Sequence, residues 1–338
     1  MTSVTGVIVQ CRLSSARLPR KALLPILGAP VFSWTLRAMK KVNADAYIAA
    51  VDEDSFAELA PIAASEGFEC VAGPRDDVLA RFCIAIQTYK LDTVVRATAD
   101  NPFLFYEAAS ESLALFETLK PDYLTFTSLP HGCGVEIFSA AALLKANGRA
   151  DASAYEREHV GPALYNHAGE YDCRFVPPPP EYAHPEWNTS IDTADDYCRA
   201  KRLARTAARL FPRTVSGQHG EPFTETFSAR EICAAYTDPA FARPVLLVPS
   251  VKKGGGTGHL RRMAELARAL DADILIRADG EDTLAETGAI LDEAAVIRTE
   301  DGGLRMQGTA TSESLTSSLT HSSLPPTPYR EMREARHH

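Results

Sequence analysis

VTGVIVQC (residues 4–11), PVFSWTLRAMKKV (30–42) and AYIAAV (46–51) are the segments that decide the fold. The first is short and rich in β-branched residues, and the third is short and apolar; both patterns are typical of buried β-strands. In the second segment the apolar residues recur at helical spacing. The three segments therefore predict a strand, a helix and a second strand, which together form a βαβ unit.

The same alternation continues along the chain. Residues 55–67 and 76–90 have helical patterns, whereas residues 68–73 and 92–100 have strand patterns. Strands separated by helices predict a mainly parallel sheet that is covered by helices on both faces. In such sheets, ligands bind beyond the carboxyl ends of the strands. The residues that directly follow each strand are therefore the first candidates for a functional site.

The composition narrows the class of protein. A formal net charge of −9 argues against a nucleic-acid partner, because proteins that bind nucleic acid usually present a basic face. No stretch approaches the roughly 18 apolar residues of a membrane span, and the N-terminal apolar run lacks the basic start of a signal peptide. Seven cysteines are scattered without a CxxC pair, as in a reducing compartment. We expect a cytoplasmic protein with no nucleic-acid and no membrane partner.

The loop QCRLSSARLPRK, residues 10–21, follows the first predicted strand. A polyphosphate is bound by forked guanidinium donors, by a point cation and by small residues that let backbone amides approach. The loop contains these residue types, namely Arg12, Ser14, Ser15, Arg17, Arg20 and Lys21. It is a candidate triphosphate site, and a solvated basic loop is the alternative.

Two aspartates lie where the strand-end rule places a metal ligand. Asp100 follows the strand in VVRATADNP, and Asp192 ends the short strand in TSIDTADD. Mg²⁺ is commonly held by one or two carboxylates together with phosphate oxygens. For either aspartate alone, a helix cap or a loop residue is the alternative. Thr193 is predicted to cap the next helix, with Asp195 and Asp196 in its first turn.

The spacing QxRxxSxRLPxK resembles the signature loop of the cytidylyltransferases that activate 3-deoxy-manno-octulosonate and acylneuraminate. It is most similar to the F-type branch of spore-coat polysaccharide biosynthesis. RATADNP and SIDTADDY resemble that family's RxTxDxP and VDTPEDF segments. The matching loop residues are Gln10, Arg12, Ser15, Arg17, Leu18, Pro19 and Lys21.

The resemblance implies a role for each of these residues. Arg12, Arg17 and Lys21 would neutralise the phosphates of CTP, and Asp100 and Asp192 would bind Mg²⁺. Gln10 and the backbone amides would belong to the nucleotide site, Ser14 and Ser15 would complete the cradle, and Leu18 and Pro19 would shape the loop.

Two further arginines are candidates for the nucleotide pocket. GPRDDVLARF, residues 73–82, resembles the family's GSEDDVLxRY and nominates Arg81. Its Asp76 and Asp77 would equally serve as caps of the following helix. Arg96 lies on the strand that leads to Asp100 and would point toward the nucleotide.

Acceptor recognition is expected from YEREHVGP, which resembles the family's YEREHVTP. Glu156 and His159 are three residues apart and can share a helix face, and Arg157 or His159 would meet the acceptor. A solvated helix face is the alternative. HGCGVEIF departs from the family's GLDVEVF, because Gly134 stands in place of the Asp while Glu136 is kept. This departure indicates a different acceptor or a weaker activity.

The chain is predicted to contain three parts. Residues 1–240 form the nucleotidyltransferase domain. Residues 243–300 form an incomplete βαβ unit that resembles the start of the G-type spore-coat nucleotide-sugar hydrolase of the glycosyltransferase B class. Residues 301–338, rich in Ser, Thr and Pro, are predicted to be disordered. The GxGHxxR loop of that resemblance would comprise Gly256, Gly258, His259 and Arg262.

The resemblance implies a Rossmann-like, glycosyltransferase A-like fold with a mixed, mostly parallel sheet. It implies Mg²⁺-dependent transfer of CMP from CTP to a sugar acid, a sugar-like molecule or a small phosphate ester, in surface polysaccharide or glycan synthesis. A glycosyltransferase and a non-catalytic nucleotide-binding descendant stay open as alternatives. A homodimer also stays open.

Overall fold

A computed structural model describes residues 3–212, 223–242, 246–247, 262, 273–277, 296–300 and 303–306. The chain divides into two compact units, residues 1–245 and residues 246–338. Across the described residues, no helix is both long enough and apolar enough to cross a bilayer.

The strands of the first unit are β1 (Thr5–Cys11), β2 (Pro25–Ile26), β3 (Ala29–Pro30), β4 (Ala46–Asp52), β5 (Glu69–Gly73), β6 (Thr93–Thr98), β7 (Tyr123–Phe126), β8 (Glu136–Ser139) and β9 (Cys173–Val176). Its helices are α1 (Val31–Met39), α2 (Phe56–Ser65), α3 (Val78–Tyr89), α4 (Tyr106–Leu119), α5 (Ala140–Asn147), α6 (Ala154–His159), α7 (Pro162–Tyr165), α8 (Ala194–Leu210), α9 (Ala229–Thr237) and α10 (Pro239–Ala242).

The central sheet has seven strands in the order β5-β4-β1-β6-β8-β7-β9. β5, β4, β1 and β6 are parallel to their neighbours, β8 is antiparallel to both β6 and β7, and β9 is parallel to β7. The sheet is therefore mixed and mostly parallel, and the predicted α/β fold class is confirmed.

Alternating side chains of β1 bury both faces of the sheet. Val7 and Val9 pack in one cluster with residues of α1, α2 and α4, including Phe32. Ile8 packs on the opposite face with residues of α3 and α5, including Phe82. All five side chains are fully buried. Because β1 is covered on both faces, its carboxyl end is held rigidly, and the loop that follows starts from a fixed point.

The second unit contains β10 (Leu246–Leu247), β11 (Asp273–Arg277), β12 (Val296–Glu300) and β13 (Gly303–Met306) in that sheet order. The first two pairings are parallel and the third is antiparallel. Of the predicted GxGHxxR loop only Arg262 is described; Gly256, Gly258 and His259 lie outside the described residues. β13 lies at the start of the segment predicted to be a disordered tail, and the predicted domain bounds stay a prediction. Residues 307–338 lie outside the described residues.

Candidate active site

A cavity of about 520 Å³ lies at the carboxyl ends of β1 and β6. The structure brings together in it every side chain that the sequence predicted for the nucleotide, its phosphates or the metal. These are Gln10, Arg12, Ser14, Ser15, Arg17, Lys21, Arg81, Arg96, Asp100 and Asp192.

The loop after β1 is held by its apolar residues. Leu13 and Leu18 are buried, and the Leu13 backbone N–H donates to Ser55 Oγ at 3.0 Å. These anchors leave Ser14, Ser15 and Arg17 along the cavity wall. Arg20 does not line the cavity, because its guanidinium pairs with Glu58 on α2. Three of the loop's four cationic residues therefore face the cavity.

Lys21 bridges the two aspartates. Its Nζ donates to Asp100 Oδ2 at 2.7 Å, to Asp192 Oδ1 at 2.9 Å and to the Ile191 carbonyl oxygen at 2.7 Å. The Lys21 side chain is only 13 % exposed. Arg17 adds a second cation on Asp192 Oδ1, at 2.9 Å. The two carboxylates thus share one cationic centre.

Asp100 is held in its charged form. Burial by itself raises the pKa of this carboxyl, but the charge and hydrogen bond of Lys21, together with a hydrogen bond from Thr98, outweigh burial and lower the pKa below its usual value. Asp100 is therefore ionised at neutral pH, as a carboxylate that binds a hard cation must be.

Neither aspartate caps a helix. α4 begins after Phe105, and Thr193 caps α8 by accepting from the Asp196 backbone N–H at 3.3 Å. The Asp196 carboxylate in turn accepts a hydrogen bond from the Thr193 N–H at 2.9 Å, and this capping box agrees with the prediction that Thr193 caps the helix. Because Asp196 satisfies the helix start, Asp192 is left to face the cavity.

The donor chemistry fits a magnesium ion. The two carboxylates supply oxygen ligands beside phosphate-binding cations, and Mg²⁺ usually takes one or two carboxylates and completes its shell with substrate phosphates and water. Within the described part of the chain, no cluster of three or more His, Cys, Asp or Glu residues could form a closed metal site.

The segment around Asp192 is aligned by its backbone. The Ile191 N–H donates to the Asp100 carbonyl at 2.9 Å, and the Thr189 N–H donates to the His131 carbonyl at 2.7 Å. Gly132 lies at the crossing with a φ of +91°, and a Cβ there would come within 2.5 Å of the Ser190 nitrogen. The segment that leads to Asp192 therefore passes residue 132 at a distance that only glycine permits.

Arg81 supports the loop from within the protein. Its side chain is fully buried, and its Nη1 donates to the Cys11 carbonyl at 3.2 Å, where the loop begins. Burial lowers the pKa of Arg81, although the charge of Asp52 partly opposes that shift. Asp77 caps α3 by accepting from the Ala80 N–H at 2.9 Å, so of the two candidate caps Asp77 fills that place.

The residues of α6 separate in a way that the sequence did not predict. Glu156 closes a capping box with Ser153 and accepts a hydrogen bond from His167, and chiefly the Ser153 backbone bond lowers the pKa of Glu156 to about 2. His159 instead lines the cavity. Arg157 contacts Asp77 at 2.7 Å. Of the two residues expected to meet the acceptor, His159 therefore lines the cavity and Arg157 does not.

A second cavity of about 430 Å³ adjoins the first and shares Arg96 and His159 with it. Arg96 forms an ion pair with Glu136 and donates to Gln10 Oε1 at 2.9 Å. Gly134 lies in this cavity, where a Cβ would meet Leu129 at 3.2 Å. The departure from the family pattern thus falls at this second cavity.

Residues 6–211, more than half of the 338 residues, match the family model described as Cytidylyltransferase. The chain belongs to the cytidylyltransferase family. Membership makes it a nucleotidyltransferase enzyme. Because the match ends at residue 211, it says nothing about residues 246–338, and the predicted likeness of that unit to a G-type hydrolase stays a prediction.

Two proteins are similar in sequence to this cytidylyltransferase. The spore coat polysaccharide biosynthesis protein SpsF of Bacillus subtilis is 27% identical over 206 residues, which cover 59% of this chain and 86% of SpsF. Protein MJ1063 of Methanocaldococcus jannaschii is 29% identical over 192 residues, covering 56% of this chain and 79% of MJ1063.

A solved structure shows the same fold. The cytidylyltransferase of Leptospira borgpetersenii serovar Hardjo-bovis superposes with a TM-score of 0.60 at 23% identity, covering 70% of this chain and 94% of the other. At 23% identity, this likeness shows that the two proteins share a fold.

Three residues at the cavities of this cytidylyltransferase escaped the sequence analysis. Glu158 pairs with Arg12 at 2.5 Å, and His131 and Tyr155 line the cavities. His131 follows β7, so the strand-end rule that located Asp100 also applied to it. Tyr155 and Glu158 lie in the YEREHVGP segment, but no local signal pointed to the pairing of Glu158 with Arg12, because the two residues are 146 positions apart.

Proposed function

We propose that this cytidylyltransferase transfers CMP from CTP to a sugar acid or sugar-like acceptor and releases pyrophosphate, with Mg²⁺ as its cofactor. The observation that carries the proposal is the pair Asp100 and Asp192, which faces the cationic loop across a single cavity. A place in surface polysaccharide or glycan synthesis is supported by the likeness to the spore coat polysaccharide biosynthesis protein of Bacillus subtilis.

The loop residues bind and orient the nucleotide. Arg12 and Arg17 offer forked donors to phosphate oxygens, Lys21 offers a point charge, and Ser14 and Ser15 lie beside them. Asp100 and Asp192 would hold Mg²⁺, which would supply stabilisation of the negative charge on the phosphates and on the departing pyrophosphate. The protein's part is positioning and electrostatics, and no covalent intermediate is required.

The second cavity is the proposed acceptor site. It joins the nucleotide cavity at Arg96, so an acceptor bound there would lie next to the bound nucleotide. The Tyr155 ring is 59 % exposed and lies 4.3 Å from the His159 ring, centroid to centroid. Arg96 is already paired with Glu136. Contacts to ring and hydroxyl groups would therefore supply most of the recognition, which suits a sugar-like molecule.

The direct test is a pyrophosphate-release assay over a panel of sugar acids, sugars and sugar phosphates. We expect release from CTP in the presence of Mg²⁺ and one acceptor class, and much slower release from ATP or GTP. Release of sugar from a nucleotide sugar would instead favour a glycosyltransferase. Pyrophosphate release that prefers GTP or ATP would contradict the assignment of CTP.

Tyr155→Ala is expected to raise the acceptor KM about five- to tenfold, because the exposed ring forms part of the acceptor cavity and such aromatic contacts contribute about 1 kcal/mol. The KM for CTP should stay unchanged. Tyr155→Phe keeps the ring and should behave like the wild type. Phe56→Ala, which removes another exposed ring that lines neither cavity, is the control. A change in the CTP KM alone would refute this placement of the acceptor.

A further inference from the structure

Lys21 has no hydrogen-bonding capacity left for a nucleotide in this structure. A lysine ammonium has three N–H donors. All three are matched by acceptors, namely Asp100 Oδ2, Asp192 Oδ1 and the Ile191 carbonyl oxygen, at 2.7, 2.9 and 2.7 Å. The residue proposed to bind phosphate is therefore occupied by the carboxylates proposed to bind the metal.

The other cations of the loop that face this cavity are engaged in the same way. Arg17 contacts Asp192 Oδ1 at 2.9 Å, the same oxygen that accepts from Lys21. Arg12 contacts Glu158 at 2.5 Å. Each of the three loop cations that line the cavity is thus paired with a carboxylate of the same cavity.

One position cannot serve both the ammonium and a divalent ion. Like charges within a few ångströms repel strongly in a partly buried site, and the same two carboxylate oxygens would have to serve both cations. The Lys21 side chain can leave without a change of backbone, because its four-carbon stem is flexible. Phosphate oxygens are the natural acceptors for the ammonium once it has left.

We infer that Lys21 is an internal counter-ion that keeps the metal site closed until a triphosphate draws it away. The triphosphate accepts the hydrogen bonds of Lys21 and Arg17, and the two aspartates are then free to hold Mg²⁺. Metal and nucleotide binding are consequently coupled, and by linkage each raises the affinity for the other by the same factor. This inference rests on the proposed function and adds a positioning role for Lys21 to it.

The test measures metal binding in the absence of turnover. Mn²⁺ serves as the probe, and free Mn²⁺ is followed by electron paramagnetic resonance during titration of the full-length protein. Without nucleotide, the wild type should bind Mn²⁺ at least about tenfold more weakly than Lys21→Met, which keeps the stem and removes the charge. Far-UV circular dichroism checks the fold of the variant, and Lys21→Gln replaces it if Lys21→Met does not fold.

The coupling is measured with α,β-methylene-CTP. In this analogue a methylene group replaces the oxygen between the α- and β-phosphorus atoms, so the Pα–O bond that would break is absent. The analogue should raise the affinity of the wild type for Mn²⁺ at least about tenfold, after correction for Mn²⁺ bound to free analogue. In Lys21→Met the same increase should be much smaller, because no ammonium has to be displaced.

Arg12→Gln is the matched control, because it removes a cation from the same cavity that contacts neither aspartate. Without nucleotide, the affinity of Arg12→Gln for Mn²⁺ should differ from that of the wild type by less than about threefold, because salt screens the effect of a charge that does not contact the aspartates. An equal gain in Arg12→Gln, or equal affinities in the wild type and Lys21→Met, would overturn the inference. An analogue that fails to bind the wild type would instead contradict the proposed nucleotide site itself.

Discussion

Asp100→Asn and Asp192→Asn are each expected to slow turnover at least about a hundredfold while the protein stays folded. An amide keeps the shape of the side chain but removes the charge that is proposed to hold Mg²⁺ against the triphosphate. Metal stabilisation of phosphoryl charge is worth several kcal/mol, and each roughly 1.4 kcal/mol slows the step about tenfold. Steady-state pyrophosphate release measures the loss, and calorimetry with CTP should show a smaller effect on affinity because the cations of the loop remain.

The double variant and a neighbouring aspartate control this experiment. The two losses should be strongly non-additive, because both carboxylates serve one ion. Asp195 is exposed in the first turn of α8, so Asp195→Asn should cost only a few tenths of a kcal/mol of stability. Full activity in both Asp100→Asn and Asp192→Asn would show that the metal is held elsewhere.

Gly132→Ala is expected to affect both stability and activity. The residue has a φ of +91°, and the added Cβ would lie 2.5 Å from the nitrogen and 2.9 Å from the Cα of Ser190. Neither atom is part of a flexible side chain, so the backbone that leads to Asp192 must shift. We expect a loss of at least about 2 kcal/mol and a fall in Tm of about 4–8 °C. Turnover should drop about a hundredfold, since a displacement of about 1 Å in a catalytic site has that effect.

Gly148→Ala is the control for this substitution. Gly148 ends α5 with a φ of −73°, and an added Cβ there would meet its nearest neighbour at 3.5 Å, an ordinary contact. Thermal denaturation of this variant should lie within about 2 °C of the wild type, and its activity should be unchanged. Wild-type activity and stability in Gly132→Ala would show that the close crossing is not needed to place Asp192.

The sequence by itself determined the fold and the edge of the sheet on which the site lies. Strand and helix periodicities are local properties, so residues 4–100 were sufficient to predict a covered, mostly parallel sheet. The strand-end rule then selected the loop after β1 and Asp100. The capping box of Glu156 was also readable, since Ser153 precedes it by three residues.

Only the tertiary structure decided which charges meet. Lys21 reaches Asp100 across 79 residues and Asp192 across 171, and Arg157 turns to Asp77 across 80. The packing of the helices on the sheet decides which charged side chains come close enough to pair. No local sequence pattern encodes that packing. For this reason the sequence assigned Lys21 to phosphates and Arg157 or His159 to the acceptor, whereas the fold places Lys21 and Arg157 against carboxylates.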